Sequence, residues 1–294
     1  MCMSKICFTC KNKNDTEASN KNNKTQYQRL NEYSKFKKIG CGATSKIYLT
    51  KKKSIPYICK SIHYHSFKKG FREIKILQKL NNDYFPKLHE FIDFDKNLFI
   101  FMNYENSVDI HKYCFEPNNT ISIKETSYII REMGNAIEAL HLYKFVHLDI
   151  KLENFIINQD KNIKLIDFGT VKPKPIGEKK LHTLVGTKNY NAPEIYRNKY
   201  HVKSDIWSYA ICIWILLIKD YCFNHSDIKK YFTLDIFPYH LFNFPSLKHT
   251  EVLKKFHKEI TTLFKKVFKI YPMDRPDINF LKNFNYEKYL ICNK

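Results

Sequence analysis

The chain has 294 residues, 44% of them hydrophobic and 15% aromatic, which is ample for a large buried core and argues against global disorder. Its formal charge of +21 comes from 50 Lys+Arg against 29 Asp+Glu, a balance that can attract nucleic acid, anionic membrane or acidic protein. No Arg-rich patch or recognition element accompanies the charge, so a nucleic-acid-binding role is not expected. The nine cysteines are odd in number and scattered, several in apolar stretches (Cys59, Cys114, Cys212), the pattern of reduced thiols in the cytoplasm or nucleus rather than of a disulfide framework. Cys7 and Cys10 form a lone C-x-x-C with no second pair, so no zinc site is expected there.

Residues 1–32 are polar and rich in Asn and Lys, and read as a disordered tail. Phe36 to Leu49 reads as strand, glycine turn and strand, with Gly40-Cys41-Gly42 in the turn. A third strand fits Tyr57 to Ile62, and apolar residues at helical spacing mark a helix from Phe71 to Leu80. Two more strands fit Leu88 to Phe94 and Leu98 to Tyr104. From there the chain turns helical, with a strong 3.6-residue period over Ile123 to Tyr143 and further helices over Val202 to Ile218 and Glu251 to Phe268. Ala210 to Ile218 is the longest apolar run, far short of the ~20 residues that cross a bilayer, so it reads as a helix buried on all sides. The aromatic-rich stretch from Asp220 to Pro245 yields no reading.

The chemistry concentrates in His147-Leu148-Asp149-Ile150-Lys151-Leu152-Glu153-Asn154, followed after a short strand (Asn162 to Ile166) by Asp167-Phe168-Gly169. One loop thus offers a carboxylate to take a hydroxyl proton, and an amide and a second carboxylate to hold a divalent metal. Here the sequence resembles the protein kinase family, whose catalytic loop reads H-R-D-x-x-x-x-N and whose metal loop reads D-F-G. Gly40-x-Gly42 between two strands, Lys60 in Tyr57-Ile58-Cys59-Lys60, Glu73 in Arg72-Glu73-Ile74 and the segment Gly186 to Glu194 all stand in family order.

The resemblance implies an α+β, two-lobed protein-kinase-like fold: a small five-stranded β lobe with one helix over about 33–103 and a larger, mainly helical lobe over about 106–294. It implies an ATP- and Mg2+-dependent enzyme that phosphorylates serine or threonine hydroxyls of protein substrates and acts as a monomer. Asp149 would orient the acceptor hydroxyl, Lys151 would stabilise the moving γ-phosphate, and Thr187 would contact both. Lys60 would hold the α and β phosphates and pair with Glu73. Asn154 and Asp167 would ligate the metal. Ile39, Gly40, Cys41, Gly42, Ala43, Thr44, Ser45, Lys46 and Ile47 would fold over the nucleotide, with Met102 beside adenine and the backbone from Asn103 to Glu105 bonding the base. Glu194 would pair with Arg275, and Asp205 would hold the catalytic loop from below.

Among the departures from the family pattern are Ser45 for a glycine, Ile58 for an alanine, and Leu148 for the arginine that commonly clamps an activation-loop phosphate. The last predicts weak dependence on loop phosphorylation. The departures also keep open a second reading, a degenerate kinase serving as a binding scaffold. Against it, Lys60, Glu73, Asp149, Lys151, Asn154 and Asp167 are all in place.

Overall fold

The computed structural model describes residues 17–42, 44–117, 119, 121–218, 259–260 and 262–287. Ala43, the N-terminal cysteines, Asp220 to Pro245 and the start of the helix expected from Glu251 lie outside the described residues. The chain divides into two compact units, one within Met1–Gly70 and Leu88–Tyr104, the other within Phe71–Lys87 and Glu105–Lys294.

The first unit is built on an antiparallel sheet. Strands β1 (Tyr33–Cys41), β2 (Ser45–Lys52), β3 (Ile55–His63), β4 (Leu88–Phe94) and β5 (Asn97–Asn103) lie in the order β1-β2-β3-β5-β4. Alternation gives the sheet two distinct faces. On one, Tyr33, Tyr57, Cys59, Ile92, Phe99 and Phe101 form a core cluster, with the Tyr33 ring stacked on Phe101 and edge-on to Tyr57. On the other, register places Gly40 opposite Ile47, Ile47 opposite Lys60, Lys60 opposite Ile100, and Ile58 opposite Met102.

The expectation of a disordered tail over 1–32 is corrected from Glu17 onward: α1 (Glu17–Asn31) is helical. A 15-residue polar helix is marginal alone in water, and here tertiary anchors at its C-terminal end support it. Leu30 joins the sheet core at 2% exposure, and Arg29 reaches Glu90 of β4 at 2.6 Å. Glu90 also accepts from the Tyr33 hydroxyl and from Lys52, each at 2.6 Å. Burial alone would raise this carboxyl, but the bonds from Lys52, Tyr33 and Arg29 lower it to about 2.

Helix α2 (Phe67–Leu77) begins four residues before its expected start at Phe71 and includes Gly70. That glycine is required by packing: a Cβ there would come within 2.7 Å of the Leu98 side chain.

In the second unit a small sheet of β6 (Ser107–Asp109), β8 (Phe155–Asn158) and β9 (Ile163–Leu165) runs in the order β6-β8-β9. Helix α4 (Ile123–Leu142) follows the short α3 (Ile110–Phe115) and starts at Ser122, whose hydroxyl accepts from the Glu125 N–H. After α5 (Pro193–Tyr196), helix α6 (Lys203–Ile218) is buried from Ser204 to Leu216, as its uninterrupted apolar run predicts. It meets α4 at Gly134, where a Cβ would lie 2.8 Å from the Tyr209 hydroxyl, which itself donates to the Ile130 carbonyl. Strands β7 (Phe145–Val146) and β10 (Lys172–Pro173) pair with each other on either side of the catalytic and metal loops.

Candidate active site

The catalytic loop leaves β7 at His147 and ends in the turn Leu152–Asn154 that opens β8. Leu148 has φ 65, a region that side chains branched beyond Cβ rarely occupy, so the surroundings must hold it. Asp205, at the start of α6 and fully buried, does so. Its Oδ2 accepts from the His147 N–H at 2.8 Å and from the His141 ring at 2.9 Å, and its Oδ1 accepts from the Leu148 N–H at 2.8 Å. From the activation-segment side, Gly186 (φ 80) presses on the same loop, and a Cβ there would stand 2.5 Å from the Leu148 carbonyl oxygen. Only glycine fits that approach.

This scaffold sets Asp149 in a polar cluster. The Thr187 hydroxyl donates to Asp149 Oδ1 at 2.7 Å, and Lys151 Nζ donates to the Thr187 oxygen at 3.0 Å while lying 3.5 Å from Asp149 Oδ2. The Asn154 amide donates to the Asp149 carbonyl at 2.7 Å and to its Oδ2 at 3.2 Å. Four of the residues to which the family resemblance gives roles, from two separate stretches of chain, therefore share one hydrogen-bonded group. A carboxylate held on both oxygens, with an ammonium beside it, can orient an incoming alcohol and steady negative charge next to it.

The metal loop is stitched to the same base. The Ile166 N–H donates to the Asn154 carbonyl at 2.8 Å, and the Thr170 hydroxyl donates to the His147 carbonyl at 2.9 Å. Phe168, 1% exposed, is wedged edge-on between the rings of His147 and Phe85. Asp167 sits at φ 65 with its side chain accepting from the Gly169 N–H at 3.4 Å. The His147 Nε2 lies 3.2 Å from the Ile166 carbonyl, consistent with a supporting role.

In the first unit, Lys60 is 7% exposed on β3, and shares a sheet face with Gly40, Ile47, Ile58 and Met102 by register. The glycine turn closes with the Gly42 N–H on the Ser45 carbonyl at 2.8 Å, leaving Cys41 and Thr44 exposed and Ile39 half-exposed at 50%. Lys46 is exposed, and Asn103 pairs with Tyr57 at the end of β5. Glu73, 2% exposed on α2, and Glu105, which pairs with Lys164 at 2.6 Å, belong to the second unit.

Some supporting groups escape any reading by spacing. His141 under Asp205, Gly186 against Leu148, and Lys164 under Glu105 are such cases. The first is an ordinary helix residue in sequence, and the contacts depend on chain crossings that no local pattern announces. By contrast the pairing of Glu194 with Arg275 follows the family motif. Both are 1% exposed and bond twice, at 2.8 and 2.6 Å, with Ser204 adding a third bond to Glu194 at 2.6 Å. Burial would raise the Glu194 carboxyl, yet the Arg275 charge and these bonds keep it below its ordinary value.

A family profile described as a protein kinase domain matches residues 33–286. The chain belongs to the protein kinase family. Among known kinases it is 28% identical over 204 residues to an Aurora kinase of Eremothecium gossypii, covering 66% of this chain and 55% of that protein. It is 31% identical over 160 residues to NUAK family SNF1-like kinase 2 of Pongo abelii, covering 54% of this chain and 25% of that protein. The chain thus spans about half or less of the length of these relatives. Among the described residues no helix is long and apolar enough to cross a membrane.

The kinase family implies magnesium, and the donor set fits it. Among the described residues no group of three or more His, Cys, Asp or Glu could hold a metal alone. Magnesium instead takes one or two carboxylates together with substrate phosphates. Asp167 supplies an exposed carboxylate, and Asn154, whose NH2 is committed to Asp149, presents its amide oxygen as the remaining hard donor.

Proposed function

We propose that this kinase domain transfers the γ-phosphoryl group of ATP to serine or threonine hydroxyls of protein substrates. The observation that carries the reading is the Thr187–Asp149–Lys151 cluster on a loop held by Asp205. In it Asp149 would accept and orient the alcohol that Thr187 now mimics, and Lys151 would sit beside the transferring phosphoryl group. Asn154 and Asp167 would hold magnesium, which when bound neutralises phosphate charge. On the first unit's sheet, Lys60 would contact the α and β phosphates, with Glu73 as its partner. The turn from Ile39 to Ile47 would cover the phosphates, and Met102 with the backbone of Asn103 to Glu105 would receive adenine. Positioning and charge account for the rate, because a loose phosphoryl transition state needs little covalent help. The reading takes residues 33–294 as the catalytic domain, acting as a monomer in the cytoplasm or nucleus.

The test is transfer of labelled γ-phosphate to a basic protein by the wild type, Asp149→Asn and Asp167→Asn. Loss of roughly 10²–10⁴-fold in Asp149→Asn with nucleotide binding retained is expected. Equal transfer by all three proteins would place the chemistry elsewhere. Magnesium-ATP binding without transfer in the wild type would support the scaffold reading suggested by Ser45, Ile58 and Leu148.

A further inference from the structure

The lysines at one end of the first unit's sheet are unevenly answered. Lys51, Lys52 and Lys53 are consecutive at the turn from β2 to β3, and among the described residues only the middle one meets acids. Lys52 Nζ lies 2.6 Å from Glu90 and 2.9 Å from Glu32. Lys51 and Lys53 are exposed, as are Lys35 and Lys37 on the neighbouring β1, and among the described residues no carboxylate pairs with any of these four.

Strand register brings the four together. Ser34 pairs with Lys51, and Lys37 pairs with Leu49, two residues before Lys51, so Lys37 and Lys51 share one face of the sheet. Lys35, at φ 57, falls in the bulge between Ser34 and Lys37, and Lys53, at φ 49, makes the turn. The acids Asp93 and Asp95 are no help, because Asp93 pairs with Leu98, the partner of Ile62, at the opposite end of β3 from Ile55. Like charges so close repel, and an external anionic surface relieves that repulsion. An aliphatic group stands among the charges: Ile55 pairs with Lys52 across the turn and is 56% exposed. The rings of this hairpin, Phe36 and Tyr48, meet edge-on and pack against the core. Single-stranded nucleic acid needs open ring faces on which bases stack. Anionic lipid asks for the combination found here, lysines for the headgroups and an aliphatic side chain for the boundary beneath them.

We propose that this end of the first unit docks on anionic lipid membrane, with Lys35, Lys37, Lys51 and Lys53 against the headgroups and Ile55 entering the interface. The attachment is peripheral and reversible. The lysines act only within a Debye length of the surface, and one aliphatic side chain adds little anchorage of its own. None of the five residues has a part in the proposed nucleotide or acceptor sites, so the docking does not rest on the kinase reading.

Binding is read on the full chain by co-sedimentation with vesicles of phosphatidylcholine containing about 30% phosphatidylserine. Saturable binding is expected, with none to phosphatidylcholine alone and loss at high salt. Lys37→Ala with Lys51→Ala should weaken it roughly 20-fold, the product of about fivefold for each lysine. Both side chains are exposed on strands, so folding is not at stake, and thermal melting checks this. Ile55→Ser should weaken binding roughly threefold without changing its salt dependence. Because the chain is cationic throughout, Lys68→Ala with Lys69→Ala, two exposed lysines at the start of α2, serves as the charge-matched control and should bind as the wild type does. An equal loss in that control, unchanged binding in the Lys37 and Lys51 double variant, or unchanged binding in Ile55→Ser overturns the proposal. So does preference for a single-stranded oligonucleotide over the vesicles at matched charge concentration. Asp149→Asn should bind the vesicles as the wild type does, so failure of catalysis and failure of docking are told apart.

Discussion

Two regions of this molecule each surround a carboxylate, one half-buried and one fully buried, and they neutralise it in opposite ways. At the junction of α1 with the sheet, Glu90 is met by Arg29, Lys52 and the Tyr33 hydroxyl, with side-chain exposure of 15% at the acid and 38% at Arg29. Beneath the catalytic loop, Asp205 has no exposure and is met by two backbone N–H groups and the His141 ring. The first arrangement is an ion cluster at the protein's edge, responsive to pH and salt. The second is a fixed bracket that dictates a backbone conformation, including the left-handed φ at Leu148. Glu194 and Arg275 combine both features, a full charge pair with almost no exposure, and so carry the greatest cost if broken.

That contrast can be tested by removing one partner at each site. Arg275→Leu should destabilise the second unit most, by about 3–5 kcal/mol, because Glu194 is left buried without its counter-charge; chemical denaturation measures it. A smaller loss would mean that Ser204 and solvent suffice. Next, Asp205→Ala should orphan the His147 and Leu148 N–H groups at roughly 1–3 kcal/mol each. It should lower kcat more than it raises KM, since loop geometry rather than nucleotide contact is lost. An unchanged kcat would show that Gly186 and the Thr187 cluster hold the loop unaided.

The edge cluster should respond to acid. Glu90 has its carboxyl depressed from 4.5 to about 2 in the folded state, so its contribution is present above the unfolded value and is lost as pH falls between those two values. In Glu90→Gln the acid destabilisation of the first unit over that window should shrink, as followed by thermal melting across pH. Smallest of all is the effect expected at Thr183. With leucine at 148, the catalytic loop has no guanidinium to clamp a phosphate, and Thr183 is exposed. Thr183→Ala should therefore leave both stability and phosphoryl transfer close to wild type, within about 0.5 kcal/mol. A collapse of activity would show that another cation has taken over the clamp.

Chain order and motif spacing already point to the five strands, the buried α6, the Asp149–Lys151–Asn154 loop, the Asp167 loop and the Glu194–Arg275 pair. The strands, α6 and the two loops are legible because alternation, helical period and motif spacing are local properties of sequence, whereas the Glu194–Arg275 pair was expected only because the resemblance to the kinase family implies it. The helix α1 was not legible. Its residues have no apolar stripe, and what orders its end is Leu30 in a core and Arg29 on an acid 61 positions away. Nor was the early start of α2, since the apolar helical spacing begins only at Phe71, and the packing of Leu98 and Ile62 against Gly70 is not visible in the sequence.

From its own residues the sequence determined which groups can do chemistry: an acid, an ammonium, an amide and a second acid at spacings that only a loop and a following strand can use. Tertiary structure alone decided how those groups are held. Asp205 and Gly186 come from other parts of the chain to fix the backbone at Leu148, and Lys52 meets Glu90 from 38 positions away. The physical reason is range. Periodicity and spacing act over a few residues, whereas a buried carboxylate or an ion cluster is closed by segments tens of residues apart, whose meeting depends on packing the whole core.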